Sequence, residues 1–151
     1  AALDVAKANN LPRYESLQPL YNLMERPAFE AELQSLCIAE EVGAINYFAL
    51  AAGFLSGKYK SEADCVGRRG ESAKKYLATD KGKAVIAALL AQAQRIGAAP
   101  SEVAIAWCRE KSGITAPIAS ATSLSQMQSL IRAAALELDK DSIAALDEAS
   151  A

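Results

Sequence analysis

The stretch INYFALAAGFLSGKYK, residues 45–60, opens as a continuous apolar run and closes in a turn punctuated by Gly53 and Gly57. Such a run fits a strand buried on both faces of a parallel sheet. The phosphate-cradling P-loop needs four residues between its glycines and then Lys-Ser or Lys-Thr, so that a hydroxyl can meet magnesium. Here three residues separate Gly53 from Gly57, and Tyr59 follows Lys58. The motif fails on spacing and on chemistry, which argues against a nucleoside triphosphatase. A strand running into a glycine-containing loop is still a common place for backbone N–H groups to meet an anion. The alternative is a plain tight turn between strand and loop.

Working outward, ALDVAKANN has the spacing of the last turns of a helix, and LPRYESLQPLYN reads as a loop with a short strand near Ser16 to Gln18. In AFEAELQSLCIAEEVG, Phe29, Leu33, Leu36 and Cys37 line one face of a helix, and Gly43 stands where a C-terminal cap would. Residues 61–80 carry charges and glycines without a sustained period, which predicts a long loop with at most one helical turn; loops of that length are often functional. KGKAVIAALLAQAQRIG is a helix with Val85, Leu89, Gln92 and Ile96 on one face and Gly97 after it. APSEVAIAWCREKSG is another, with Pro100 in its first turn and Val103, Ala106 and Trp107 facing inward.

ITAPIAS predicts a strand, but Pro117 cannot donate a ladder hydrogen bond and restricts it to an edge, an end or a bulge. Ser123 and Gln126 fit a capping box, and the helix behind them carries Leu124, Met127, Ile131 and Ala134 on one stripe. A last short helix runs through Ile143 and Leu146. Strands alternating with helices predict an α/β fold with a parallel sheet and right-handed crossovers. About three strands are visible, within a single domain over residues 1–151.

Composition narrows the function. With 52% hydrophobic and 23% charged residues over 151 positions, the chain is long and apolar enough for one ordinary globular domain. A net charge of −2 gives no electrostatic case for nucleic acid or for an anionic membrane surface. Cys37, Cys65 and Cys108 form no CxxC pair and histidine is absent, which argues against a metal site and a disulfide framework and fits a reducing cytoplasm. The missing histidine also removes the commonest general base. No apolar run approaches a membrane span. The start, Ala-Ala-Leu, has neither a signal pattern nor a methionine, which leaves room for a trimmed beginning.

The segments LPRYESLQPLYNLMERPAFEAELQSLC (11–37), YFALAAGFLSGKY (47–59) and GITAPIASATSLSQ (113–126) resemble, in order and spacing, consecutive signatures of the aldo-keto reductase family. The resemblance implies a (β/α)8 barrel that moves a hydride between NADPH and a carbonyl or alcohol, with NADH not excluded. It covers the C-terminal part of that barrel, strands six to eight. The family's catalytic Asp, Tyr, Lys and His lie upstream, so no residue here inherits a catalytic role.

By the same resemblance Tyr47 stacks on the nicotinamide and Gln18 meets its carboxamide. The segment with Leu50, Ala51, Gly53, Leu55, Ser56, Gly57 and Lys58 wraps the pyrophosphate. Ser120, Thr122, Ser123 and Gln126 form the adenosine-phosphate site at a helix N-terminus. Without the family, Gln18, Tyr47 and Lys58 read as an ordinary polar residue, a packed aromatic and a solvated lysine, and Ser123 and Gln126 as caps of their own helix.

There are departures. Thr122 stands where many relatives have a basic residue and Leu130 where they have asparagine, which weakens the NADPH preference and the adenine contact. Asn46, Phe48 and Ala49 replace the Pro, Ser and Pro often seen around the tyrosine. Ala99 replaces the usual threonine cap before Pro100, a loss of roughly 0.5–2 kcal/mol. A partial barrel of this kind leaves sheet edges and an apolar face uncovered. The expected partners are therefore a second copy of the chain or the missing N-terminal half, and the loop 61–80 is a candidate for substrate contact.

Overall fold

In the computed structural model, which describes residues 1–59 and 61–151, a short backbone ladder organises the chain. β1 (Ser16–Leu17) and β2 (Gly43–Ala44) pair in parallel, Ser16 opposite Gly43 and Leu17 opposite Ala44. The hydrogen bonds run beyond these strands. The N–H groups of Gly43, Ile45 and Tyr47 donate to the carbonyls of Glu15, Leu17 and Pro19 at 3.0, 2.8 and 3.0 Å. On the other side of β2, Ala44 forms a parallel bridge with Ile114, and Thr115 and Ile118 donate to the carbonyls of Ala44 and Asn46, each at 2.8 Å.

A regular ladder would take the N–H of residue 117, which proline lacks. The bond shifts to Ile118 and the extra residue is absorbed as a bulge. The third strand expected in ITAPIAS is thereby reduced to a bridged segment beside a two-stranded sheet, and most of the fold is helical.

Around the ladder lie α1 (Ala2–Ala8), α2 (Pro27–Glu30), α3 (Leu33–Ala39), α4 (Gly67–Leu77), α5 (Asp80–Ile96), α6 (Pro100–Arg109), α7 (Leu124–Ala135) and α8 (Lys140–Ala149). α5 starts on Thr79, whose hydroxyl accepts from Gly82 N–H at 2.9 Å, and ends on Gly97 at φ 73°. Val85 and Leu89 on its inner face are fully buried. α6 starts with Pro100 and buries Val103, Ala106 and Trp107 completely, as their spacing predicts.

Four expectations are corrected. The helix read from Phe29 to Gly43 is two, α2 and α3, and Leu36 is 49% exposed although Phe29 and Cys37 are buried. The left-handed residue that ends α3 is Glu41, at φ 51°. Gly43 already belongs to β2, where a Cβ would come within 3.1 Å of Thr115 Oγ1. Close approach of the third segment, not capping, is what this glycine serves.

The third correction concerns the loop read over 61–80, which contains α4. Its buried face is Ala73 with Tyr76 half-buried beside it, the Tyr76 ring 5.4 Å from that of Phe54. Leu77, half-buried at the end of the helix, is the one large aliphatic residue of that face among the described residues, too little to set a period. Gly70 sits where a Cβ would come 2.3 Å from the backbone of Cys65, so this glycine fits the helix against the preceding turn. Finally, the stripe Leu124, Met127 and Ile131 on α7 points outward, at 75%, 49% and 63% exposure. Ala133 is the buried residue of that helix.

Two polar clusters lock the helices to one another. Trp107 stacks on Tyr21 at 5.5 Å, donates from Nε1 to Asp147 of α8 at 2.9 Å, and lies under the cations of Lys111 and Arg26 at 4.8 and 5.5 Å. Lys111 also pairs with Asp147, so one carboxylate of the last helix meets both, while Arg95 of α5 pairs with Asp139 at the start of that helix at 2.7 Å.

The second cluster is Glu102, 4% exposed, which accepts from Ser129 Oγ at 2.8 Å and pairs with Arg132 at 2.7 Å on α7, and accepts from Ala99 N–H at 3.2 Å. Ala99 has no acceptor of its own to offer, so Glu102 provides the reaching-back half of a capping box without its partner. Burial alone would raise the Glu102 carboxyl, but Arg132, Ser129 and the Ala99 amide outweigh it and hold it below its ordinary value.

A group held low in the folded state stabilises fully above its unfolded value and loses that contribution as pH falls through the folded one. Glu102→Gln is expected to lower stability by about 1–2 kcal/mol near neutral pH, discounted because Arg132 is largely exposed. The difference from wild type should shrink in acid, as pH falls below the ordinary carboxylate range. Urea denaturation of both proteins at neutral and at acid pH checks this, and a gap that stays constant would contradict it.

Candidate functional site

Beyond the C-terminal ends of the parallel segments the chain opens into a cleft of about 760 Å³, within the usual range of small-molecule clefts. Its floor comes from the residues that follow β2 and the bridged segment: Tyr47 to Leu50 on one side, Ile118 to Ser120 on the other. Ser72 of α4, Ser101 of α6, and Gln126, Ser129 and Leu130 of α7 complete the walls. Lys58 is the one charged side chain among the described lining residues.

The backbone after β2 is bent hard. Phe48, Ala51, Ala52 and Gly53 have φ of 66°, 47°, 57° and 90°, in the left-handed region that costs residues with a Cβ about 1–2 kcal/mol each. The turn 51–56 closes on itself: Ala51 N–H donates to Phe48 O at 2.8 Å, Gly53 N–H to Leu50 O at 2.8 Å, and Ser56 Oγ to Gly53 O at 2.7 Å. Lys58 lies over the Tyr59 ring at 4.7 Å, and a Cβ on Gly53 would sit 3.4 Å from the lysine stem. Tyr47 is 44% exposed and presents its ring to the cleft.

At the other wall, Ser123 Oγ accepts from Gln126 N–H at 3.3 Å. The second half of the expected capping box is displaced by one residue. Gln126 Oε1 accepts from the N–H and hydroxyl of Thr122 at 2.8 and 3.1 Å, and not from Ser123. The caps therefore use part of the donor set that a phosphate at this helix start would otherwise meet.

Of the residues singled out in the sequence, Tyr47, Leu50, Gly53, Ser56, Lys58, Ser120 and Gln126 line the one cleft. Ala51 and Leu55 are fully buried core residues, so their side chains do not face it. Gly57 lies behind the turn, where a Cβ would come within 3.1 Å of both Leu90 and Pro100. Thr122 and Ser123 are exposed at the start of α7 without lining the cleft, and Gln18 is exposed at the end of β1 and does not line it either.

Among the other lining residues, Phe48, Ala49, Ala52, Ile118 and Ala119 adjoin those singled out, while Ser72, Ser101, Ser129 and Leu130 come from three helices. Ser129 follows Gln126 by three residues and Leu130, already noted in the sequence, by four, so helical geometry places both on its face. Ser101 follows directly on the first-turn proline. Ser72 carried no signal, because its helix had none.

The thiols supply no alternative chemistry. All three cysteines are buried and free; burial pushes Cys108 up to about 12 and raises Cys37, while burial and the neighbouring carboxylates raise Cys65. What the cleft offers is an aromatic face, a glycine-containing turn beside one lysine, and a row of hydroxyls and an amide.

The sequence profile described as the aldo/keto reductase family matches residues 2–151, and the chain belongs to that family. It is 29% identical over 147 residues to Protein tas of Escherichia coli (strain K12), covering 96% of this chain and 42% of that protein. It is 31% identical over 121 residues to a probable voltage-gated potassium channel subunit beta of Arabidopsis thaliana, covering 77% and 37%. A putative subunit of the same name from Schizosaccharomyces pombe is 29% identical over 135 residues, covering 85% and 39%. The chain thus spans less than half the length of these curated relatives. Among the described residues no helix is long and apolar enough to cross a membrane.

Gly53→Ala tests whether the turn is as strained as its dihedrals indicate. At φ 90° an alanine is expected to lower stability by about 1 kcal/mol, with thermal unfolding as the measurement. An unchanged midpoint would mean that the turn relaxes to another conformation.

Proposed function

We propose that this chain is the cofactor-binding part of an aldo/keto reductase barrel that reduces carbonyls with NADPH in the cytoplasm. In this reading it is a single domain that acts only when the part bearing the catalytic tetrad completes the barrel. The observation that carries the reading is the convergence of Tyr47, the 50–58 turn, Ser120 and Gln126 on one cleft. The residues fit the group. Tyr47 would orient the nicotinamide by its ring face, the turn and Lys58 would meet the pyrophosphate, and Ser120 and Gln126 with Thr122 and Ser123 would hold the adenosine phosphate. When bound, the dinucleotide supplies the hydride. Because Thr122 is uncharged and engaged by Gln126, NADPH is favoured over NADH by a modest factor only.

Two uncovered apolar surfaces support the need for a partner. One is the stripe Leu124, Met127 and Ile131 on α7. The other is a groove of about 300 Å³ between α1, β1 and α3, lined by Leu3, Leu17, Leu33, Leu36 and Val42 among others. The missing N-terminal half of the barrel is the partner favoured here. A non-catalytic role, as a homo-oligomer or bound to another protein, is the second reading. The same surfaces favour it, as do two relatives named as potassium channel subunits.

Fluorescence titration of the 151-residue chain with NADPH, and with NADH for comparison, tests the first reading. Saturable binding that is tighter for NADPH is expected. Tyr47→Ala should weaken it about tenfold and Lys58→Ala by about two- to threefold, since an oriented aromatic surface is harder to replace than one exposed charge. Equal losses would contradict the nicotinamide placement. No binding to the chain, together with a stable dimer by sedimentation, would favour the second reading.

A further inference from the structure

Two buried asparagines cross-link the segments that meet beneath the cleft. Asn22 and Asn46 are both fully buried. Asn46 Nδ2 donates to the carbonyl of Tyr21 at 2.8 Å, and Asn22 Nδ2 donates back to the carbonyl of Phe48 at 3.0 Å. Between these two contacts stands Tyr47, whose own N–H donates to Pro19 O at 3.0 Å. Three consecutive residues, 46 to 48, are thus tied to the segment 19–22. The side chain of Tyr47, 44% exposed, lines the cleft.

The contact to Phe48 has the most to hold. A bulky side chain at φ 66° sits in a region that such residues occupy only when the surroundings impose it. The carbonyl that Asn22 holds is the same one that accepts from Ala51 N–H and so starts the 51–56 turn. Asn22 is itself fixed by its other end. Its Oδ1 accepts from the N–H groups of Met24 and Glu25 at 2.8 and 3.2 Å, an Asx turn that leaves the amide nitrogen no other direction. The ladder ends at Tyr47, and these side-chain amides continue it where backbone pairing stops.

We propose that Asn22 is a positioning residue of the cleft: its amide holds the Phe48 carbonyl, and thereby the left-handed turn and the presentation of Tyr47 and Gly53. Its consequence for cofactor binding rests on the function proposed above; its consequence for the turn does not.

Asn22→Ser keeps a short acceptor for the Asx-type turn and removes the reach to Phe48; Asn22→Asp keeps the acceptor and replaces the donor with an oxygen. Hydrogen exchange of the chain without ligand is the first readout. Both variants should speed exchange at Ala51, Gly53 and Leu55 about tenfold relative to Met24, Glu25 and Ile45. A role in overall stability alone would speed all of these amides together. Uniform acceleration, or no change at 51–55 in the serine variant, would overturn the proposal even if the aspartate variant fails to fold. NADPH titration is the second readout, with affinity expected to fall about tenfold in the serine variant. If the wild type binds no NADPH, the cofactor reading fails while exchange still decides the role of Asn22. If the wild type binds and the serine variant binds equally well, the positioning role is overturned.

Discussion

Residues 43–47 are paired on both sides, and the rest of the structure is arranged around that constraint. Gly43, Ile45 and Tyr47 donate toward the segment 15–19, while Ala44 and Asn46 accept from the segment 114–118. Alternation of this kind is what a central parallel strand demands, and it fixes where the chain emerges. Residue 48 leaves the sheet beside residue 119, so the turn after β2 and the entry to α7 face each other across one cleft. The small residues Gly43 and Ala44 allow both neighbours to approach, and the proline at 117 is tolerated because its missing donor falls at a bulge.

How much of this the sequence disclosed depended on where each element finds its partner. α5 and α6 were legible because an end signal and a period agree in each: Gly97 closes one, Pro100 starts the other, and Val85, Leu89, Val103 and Trp107 are buried as spaced. α4 was not, because its packing rests on Ala73, on Tyr76 and Leu77 at its end, and on a glycine chosen for closeness, which together are too few to produce a hydrophobic period. The stripe on α7 was correctly grouped, but a period tells which residues share a face and not what covers it. In the cleft, Tyr47, Gly53 and Lys58 were found because they are contiguous in a recognisable segment. Ser72 and Ser101 were not, because a wall assembled from separate helices leaves no local pattern.

The helical shell carries much of what so small a sheet cannot. Two strands with a bridged third segment offer few ladder bonds, and isolated pairings of that size are marginal in water. Stability is displaced to side chains that tie distant helices: Trp107 and Asp147 bring α8 against α6, and Glu102 joins α6 to α7. Both carboxylates work with cations and hydrogen bonds together, the condition under which the buried charge of Glu102 is tolerated. On the outer face of α7, Leu124 and Ile131 remain more than half exposed. Burying each against a partner would contribute about 1.5–3 kcal/mol before the cost of ordering the interface, which makes the same surface consistent with either proposed partner.

The cleft itself is built against local preference. Phe48, Ala51 and Ala52 occupy left-handed backbone that glycine or asparagine would adopt more readily. A run of such residues persists only where something outside the run holds it. The ladder ends one residue too early to do so, and the turn's own hydrogen bonds hold its carbonyls relative to one another but not to the sheet. Among the contacts described, the side-chain amide of Asn22 joins the start of that turn to the framework. A wall stiffened from outside presents the Tyr47 ring and the glycine turn in one relative geometry before any ligand arrives, and preorganisation of that sort lowers the ordering cost of binding.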